Sequence, residues 1–238
     1  MRRRVTSCLL LAAVCVGACN DPDKRRVVVA PTTSPPVSVA PSPSAPSTDS
    51  PRHPSFALRD LHVTTGRVIE LSNGRLHVVD PTTRFVARGT AAAAEMHFTY
   101  RGPTARSTHL SSGEMRRQLG LKLRARDGCN VVYAMWRLEP ELKLVVSVKR
   151  NEGASTHDEC GAGGYENITP SRSAQIPTVV PGEPHVLAAR IEGTRMRVTI
   201  DTREVWEGAL PRDAFAFNGP GGVRTDNVDV DLDFSAGQ

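Results

Sequence analysis

The chain has 238 residues, 39% of them hydrophobic and 23% charged, which suits a soluble globular domain with extensions. Aromatic residues make up 5%, too few for a broad stacking platform. The formal charge of +5 falls to +2 once the three arginines Arg2, Arg3 and Arg4 are set aside with residues 1–18, which hold no other charge; so small an excess argues against nucleic-acid partners.

Met1–Arg4 is a positive cluster, and Cys8–Val16 is an apolar run too short to span a bilayer as a helix. Val16-Gly17-Ala18-Cys19 follows. Small residues let a chain lie extended in a peptidase groove, and the thiol of Cys19 is a site for acylation. This pattern resembles the lipobox of bacterial lipoproteins. The resemblance implies a signal peptide over residues 1–18, cleavage before Cys19 and lipidation of Cys19 by diacylglyceryl and palmitate-type chains. The expected location is extracytoplasmic, lipid-anchored to the bacterial cell membrane, and that membrane is the first expected partner. Two or more acyl chains hold stably, at about 0.8 kcal/mol for each buried CH₂. The arginine run leaves the choice between general and twin-arginine export open.

Residues 19–54 form the next segment, rich in proline, serine and threonine and without apolar periodicity. Such a composition cannot bury enough surface to offset the entropy of ordering. A disordered, partly polyproline tether is expected, reaching roughly 30 Å as a coil and about 100 Å extended.

A folded domain is expected over residues 55–238, where short alternating runs are separated by turns. Such runs predict an all-β antiparallel sandwich or barrel. Phe56–Val63 and Arg67–Leu71 are expected strands, and Asn73-Gly74 marks a hairpin, since both positions tolerate positive φ. Leu76–Val79 and Arg84–Ala87 follow. In Glu95–Arg101, Met96, Phe98 and Tyr100 share one face. Arg116–Ala125 sets Leu119, Leu121 and Leu123 on one face and Arg116, Gln118, Gly120, Lys122 and Arg124 on the other. Asp127-Gly128 turns the chain into Val131–Leu138, Pro140 breaks that strand, and Leu142–Lys149 forms another. Residues 151–184 read as loop. Alternation returns at His185–Ile191, Met196–Asp201 and Val228–Phe234, the last with Asp229, Asp231 and Asp233 facing out.

The arrangement GLKLRARDGCNVVYAMWR, then PHVLAARIEGTRMRVTIDTREVWEG, then GPGGVRTDNVDVDLDF resembles the concanavalin A-like jelly rolls, in particular their laminin G-like relatives. The resemblance covers about residues 56–235 and implies an antiparallel jelly-roll β-sandwich. It leaves function open, because one fold hosts lectins, hydrolases, lyases and adhesion modules.

Several constellations bear on function. Cys129 and Cys160 are the cysteines beyond residue 19, and an oxidising compartment favours a disulfide between them. The basic stripe Arg116, Gln118, Lys122 and Arg124 offers contacts for sulfates or uronic carboxylates, or else is a solvated sheet face. With Tyr133, Trp136 and Tyr165 it makes the expected glycan-binding set. Trp136 and Trp206 are also candidates for the core. The favoured expectation is a non-catalytic module that binds a cell-wall or extracellular polysaccharide. A structural module without a small ligand is the third class.

The enzyme alternative has a weaker resemblance. Ser112-Gly113-Glu114-Met115-Arg116 and Gln118 are similar to strand motifs of alginate-type polysaccharide lyases, which implies neutralisation by Arg116 and Gln118 and proton transfer by Tyr165. Gly120 stands where that pattern has histidine. A glucanase needs paired acids facing one cleft, and neither Glu139 and Glu141 nor Asp158 and Glu159 sit on a suitable strand. Asp226, Asn227 and Asp229 are weighed as Ca²⁺ ligands against a protective acidic edge strand, and the latter is favoured. No metal and no cofactor is expected.

Overall fold

A computed structural model describes residues 55–237; the expected signal, Cys19 and the tether lie outside the described residues. Among the described residues, β1 (Leu61–Thr65), β2 (Ile69–Glu70), β3 (Leu76–Val78), β4 (Thr82–Ala87) and β5 (Ala93–Pro103) come first. They lead to β6 (Arg117–Leu123), β7 (Val131–Glu139) and β8 (Lys143–Lys149). A single helical turn, α1 (His157–Cys160), precedes β9 (Tyr165–Asn167) and β10 (Arg172–Ser173). Then follow β11 (Pro184–Glu192), β12 (Arg195–Ile200), β13 (Arg203–Ala209), β14 (Gly222–Asp226) and β15 (Val228–Gly237).

These strands form two antiparallel sheets. The first has seven strands in the order β1-β4-β14-β6-β7-β8-β9, and the second has eight in the order β10-β13-β12-β11-β5-β15-β3-β2. The period-two alternation of the sequence decides which side chains lie between them. Leu119, Leu121 and Leu123 of β6 and Val132, Ala134 and Trp136 of β7 meet Met96 and Phe98 of β5 and Val230, Leu232 and Phe234 of β15. Two aromatic pairs bridge the sheets at edge-to-face geometry: Phe98 with Trp136, and Phe85 with Phe234, each with centroids 5.7 Å apart. Trp206 is also in this core.

Three local features position the outer face of the seven-stranded sheet. Gly120 allows β6 and β7 to approach, since a Cβ there would lie 2.3 Å from the Ala134 carbonyl oxygen. Asn227, with φ of 58°, is the one residue between β14 in the first sheet and β15 in the second. Its side chain also ties down the segment before β6, donating to the Thr108 carbonyl at 2.9 Å and the Arg116 carbonyl at 2.8 Å and accepting from the Thr108 amide at 2.8 Å. Cys129 and Cys160 form the expected disulfide, with Cα atoms 5.9 Å apart, and so fasten α1 to the connection between β6 and β7.

The structure corrects the expectation of a protective edge at the acidic strand. β15 lies inside its sheet, between β5 and β3. Two of its three acids are engaged in close pairs: Asp231 with His77 and Arg101, each at 2.7 Å, and Asp233 with Arg75 at 3.1 Å.

Candidate anion-binding groove

The outer face of the seven-stranded sheet floors a cavity of about 760 Å³, within the roughly 300–1,000 Å³ of small-ligand sites. Arg84 rises from β4, Arg224 from β14, Lys122 from β6, Tyr133 from β7, Lys149 from β8 and Tyr165 from β9. All but Tyr165 are outward partners of a core residue beside them on the same strand: Phe85, Val223, Leu121, Val132 and Val148 face the other way. One wall is the segment 109–116 and the other is the segment 155–162. The walls meet where Ser111 Oγ and His157 Nε2 share a hydrogen bond of 2.7 Å.

Charge on the floor is unbalanced. Asp226 is fully buried and saturated with donors: Gln118 Nε2 at 2.7 Å, Arg224 Nε at 2.8 Å and Arg84 Nη2 at 3.3 Å. Although burial opposes the charge, Asp226 holds the Arg224 guanidinium above its ordinary range. For Arg84, burial and then Arg224 outweigh Asp226 and lower the guanidinium. Lys149, also fully buried, donates to the Gly161 carbonyl at 2.8 Å and lies 5.1 Å from the Tyr165 ring centroid. Burial, then Arg224 and Arg84, lowers its ammonium to about 8.

Lys122 is 5% exposed and lines the cavity. Among the described residues its ammonium has no hydrogen-bond acceptor and no carboxylate partner. Burial first, then Arg84 and Arg224, lowers it from 10.5 to about 7.

The two tyrosines form the apolar part of the floor. Their rings stack with centroids 6.1 Å apart, and Arg224 lies 5.4 Å over the Tyr133 ring while its Nη1 donates to the Tyr165 hydroxyl at 3.1 Å. Burial chiefly pushes the Tyr133 phenol up to about 12. His157 is lowered by burial, then by Lys149, Arg84 and Arg224.

Of the residues expected from the sequence, Arg116, Gln118, Lys122, Tyr133 and Tyr165 all line this groove. Arg116 pairs with Glu114 at the wall. Two expectations are corrected. Trp136 is fully buried between the sheets, because its position in β7 is in phase with Val132 and Ala134 rather than with Tyr133. Arg124 leaves the stripe because its φ of 51° ends the extended run just after β6. Its guanidinium donates instead to the carbonyls of Ala214 and Phe217, at 3.1 and 2.6 Å, and packs over Phe215.

Sequence reasoning missed Arg84, Lys149, Arg224 and the role of Asp226 in holding the two arginines. For Lys149 the signal was present, since it alternates outward with Val145 and Ser147. For Arg224 it was hidden, because β14 and β15 run together in sequence and only Asn227 parts them. The weighed acids Asp226 and Asp229 lie on different sheets, and among the described residues no cluster of acids, histidines and cysteines is arranged to hold a metal.

No family model matches the chain, and no curated protein matches it either. Among solved structures, carbohydrate-binding module CBM66 from Bacillus subtilis superposes with a TM-score of 0.50 at 15% identity, over 74% of this chain and 92% of that one. The Emp46p carbohydrate recognition domain in its metal-free form gives 0.45 at 12%, over 76% and 90%. SCLam, an endo-beta-1,3(4)-glucanase from family GH16, gives 0.42 at 10%, over 68% and 71%. At such identities the likeness speaks for the fold alone: the chain has an antiparallel jelly-roll β-sandwich.

Proposed function

We propose that this protein is a membrane-anchored, extracytoplasmic lipoprotein whose sandwich domain binds a glycan without transforming it. The observation that carries this reading is the groove itself: a cavity of about 760 Å³ with stacked tyrosines and a row of donors on one sheet face. Sugars present apolar ring faces and hydroxyl edges, and such a floor offers a surface for both. The fold is shared with a carbohydrate-binding module, which accords with it. Anchoring rests on Val16-Gly17-Ala18-Cys19, and the Pro-, Ser- and Thr-rich residues 19–54 would hold the domain off the membrane.

A glycan array probed with the purified protein tests binding, and silence across neutral and acidic glycans would refute it. Fractionation of cells expressing Cys19→Ala tests the anchor: the variant is expected in the soluble fraction, and its retention in membranes would refute lipidation there.

A second reading is favoured by one observation, the meeting of Arg116, Gln118 and Tyr165 in the same groove. In a polysaccharide lyase, a base takes the C5 proton of a uronic residue, the C4–O bond breaks, the leaving oxygen is protonated and a C4–C5 double bond forms. Against this role, Gln118 already donates to Asp226 and Tyr165 already accepts from Arg224. Release of unsaturated, ultraviolet-absorbing ends from uronic polymers, lost in Tyr165→Phe, would establish it.

A further inference from the structure

The groove combines a charge surplus with an ammonium that lacks a counter-ion. Of the floor cations Arg84, Lys122, Lys149 and Arg224, only the two arginines meet a carboxylate, that of Asp226, whose oxygens are already engaged. Nearby carboxylates on the walls are also spent: Glu114 on Arg116, and Asp127 on Arg126, the Asn130 amide and the Cys129 backbone. Burying a charge without a partner is costly, and native chains seldom retain one without a compensating contact. Lys122 is 5% exposed, opens onto the cavity and lies among two guanidiniums that repel it.

We propose that the groove takes an acidic saccharide, with an oxyanion of the sugar seated against Lys122, Arg84 and Arg224 and a sugar ring against Tyr133 and Tyr165. This inference rests on the glycan reading and deepens it. Guanidiniums recognise two oxygens on one centre of an oxyanion through paired donors, and an ammonium adds a point charge. A carboxylate of a uronic residue and a sulfate ester share this chemistry. A neutral sugar would leave the Lys122 charge as uncompensated as it stands without ligand.

A proton should accompany the ligand. The groups facing Lys122 are Arg84 on β4, Arg224 on β14 and Tyr133 on β7, with Lys149 on β8, Tyr165 on β9 and His157 on the wall further along the cavity. Near pH 7 part of the Lys122 population is neutral, and an arriving anion would favour the charged form. Binding should therefore take up protons at pH 7–8 and weaken as pH rises above 7.

The test is calorimetry on the purified full chain with hits from an array of uronic, sulfated and neutral glycans. At least one acidic glycan should bind tenfold or more tightly than the neutral glycan of the same backbone. Its binding enthalpy should change with the ionisation enthalpy of the buffer. Lys122→Met should abolish that preference and most of the proton uptake while the domain stays folded by circular dichroism. Lys122→Arg, which keeps a charge but does not titrate, should retain the preference for acid and lose most of the proton uptake, the remainder belonging to Lys149, whose ammonium is lowered to about 8. A uronic hit assigns the oxyanion as a carboxylate and a sulfated hit assigns it as a sulfate. Neutral glycans bound as tightly as acidic ones, or acid preference surviving in Lys122→Met, would overturn the inference and leave the glycan reading standing. No glycan bound at all would overturn both.

Discussion

The Arg224 guanidinium on β14 donates to the Tyr165 hydroxyl on β9 at 3.1 Å, although β6, β7 and β8 lie between the two strands. In a flat sheet four inter-strand steps of roughly 4.8 Å would set those strands about 19 Å apart. The long arginine and tyrosine side chains reach towards each other across the outer face and span much of that distance over the groove floor. Tyr165→Phe should keep the fold and the stacking on Tyr133 but free one donor of Arg224, changing glycan affinity several-fold. Tyr165→Ala should lose the stack as well and bind at least tenfold more weakly, with little change in melting temperature, because Tyr165 is 41% exposed.

Lys122 should make the unliganded domain less stable at neutral pH than at alkaline pH. Its folded value, about 7, is depressed below the ordinary 10.5. Between those values the unfolded chain binds more protons, so stability rises with pH across that window and is lost again as pH falls through about 7. At 1.36 kcal/mol per unit the full effect is about 5 kcal/mol. Lys149, lowered to about 8, acts in the same direction. Lys122→Met is expected to melt higher than the parent at pH 7 and to show a flatter melting profile between pH 7 and 10. A lower melting temperature with an unchanged profile would show that the ammonium is compensated.

Removing the disulfide should separate stability from fold. Cys129 and Cys160 are 31 positions apart, and closing such a loop is worth roughly 3–4 kcal/mol in the chain-entropy model. The double variant Cys129→Ser, Cys160→Ser should melt lower in chemical denaturation by about that amount. Its binding should also weaken, because α1 and the Gly161 carbonyl that receives Lys149 are held by that bridge. Thiol titration of the native protein should find neither cysteine reactive before reduction.

Much of this fold is legible in the sequence because burial imposes a period of two. β5, β6, β7 and β8 all fall close to where alternation puts them, and the same period exposes Gln118, Lys122 and Tyr133 on the groove face. Trp136 and Arg124 went astray for different reasons. Trp136 obeys the alternation, and its large ring invited a ligand role that its phase already ruled out. Arg124 breaks the alternation through a backbone angle that no side-chain pattern announces. The pairing of Arg84 and Arg224 around Asp226 depends on β14 lying between β4 and β6, a long-range order that local pattern does not contain.

Trp136 provides a check on that correction. It is fully buried, and its indole N–H has no partner among the described residues. Trp136→Ala should therefore cost about 3–5 kcal/mol through the cavity it leaves. Trp136→Phe removes the unsatisfied donor and keeps an aromatic edge against Phe98, so its cost should be much smaller. Glycan affinity measured below the melting transition should be the same in Trp136→Phe as in the parent. A specific loss of affinity there would return the residue to the binding face.

Asn227 joins fold and groove in one side chain. Its φ of 58° suits asparagine better than most residues, and its amide makes three hydrogen bonds to the segment that walls the cavity. Asn227→Gly relieves the backbone angle but deletes those bonds, whereas Asn227→Ala does both kinds of harm. Asn227→Ala should cost about 2–3 kcal/mol, since it deletes the hydrogen bonds to Thr108 and Arg116 and keeps a Cβ at positive φ. Asn227→Gly should recover up to about 1 kcal/mol of that. Hydrogen exchange should show residues 104–116 opening in both variants, with β14 and β15 still protected. If the segment stays protected in Asn227→Gly, the wall is held by its own contacts, among them the Ser111–His157 bridge, rather than by Asn227.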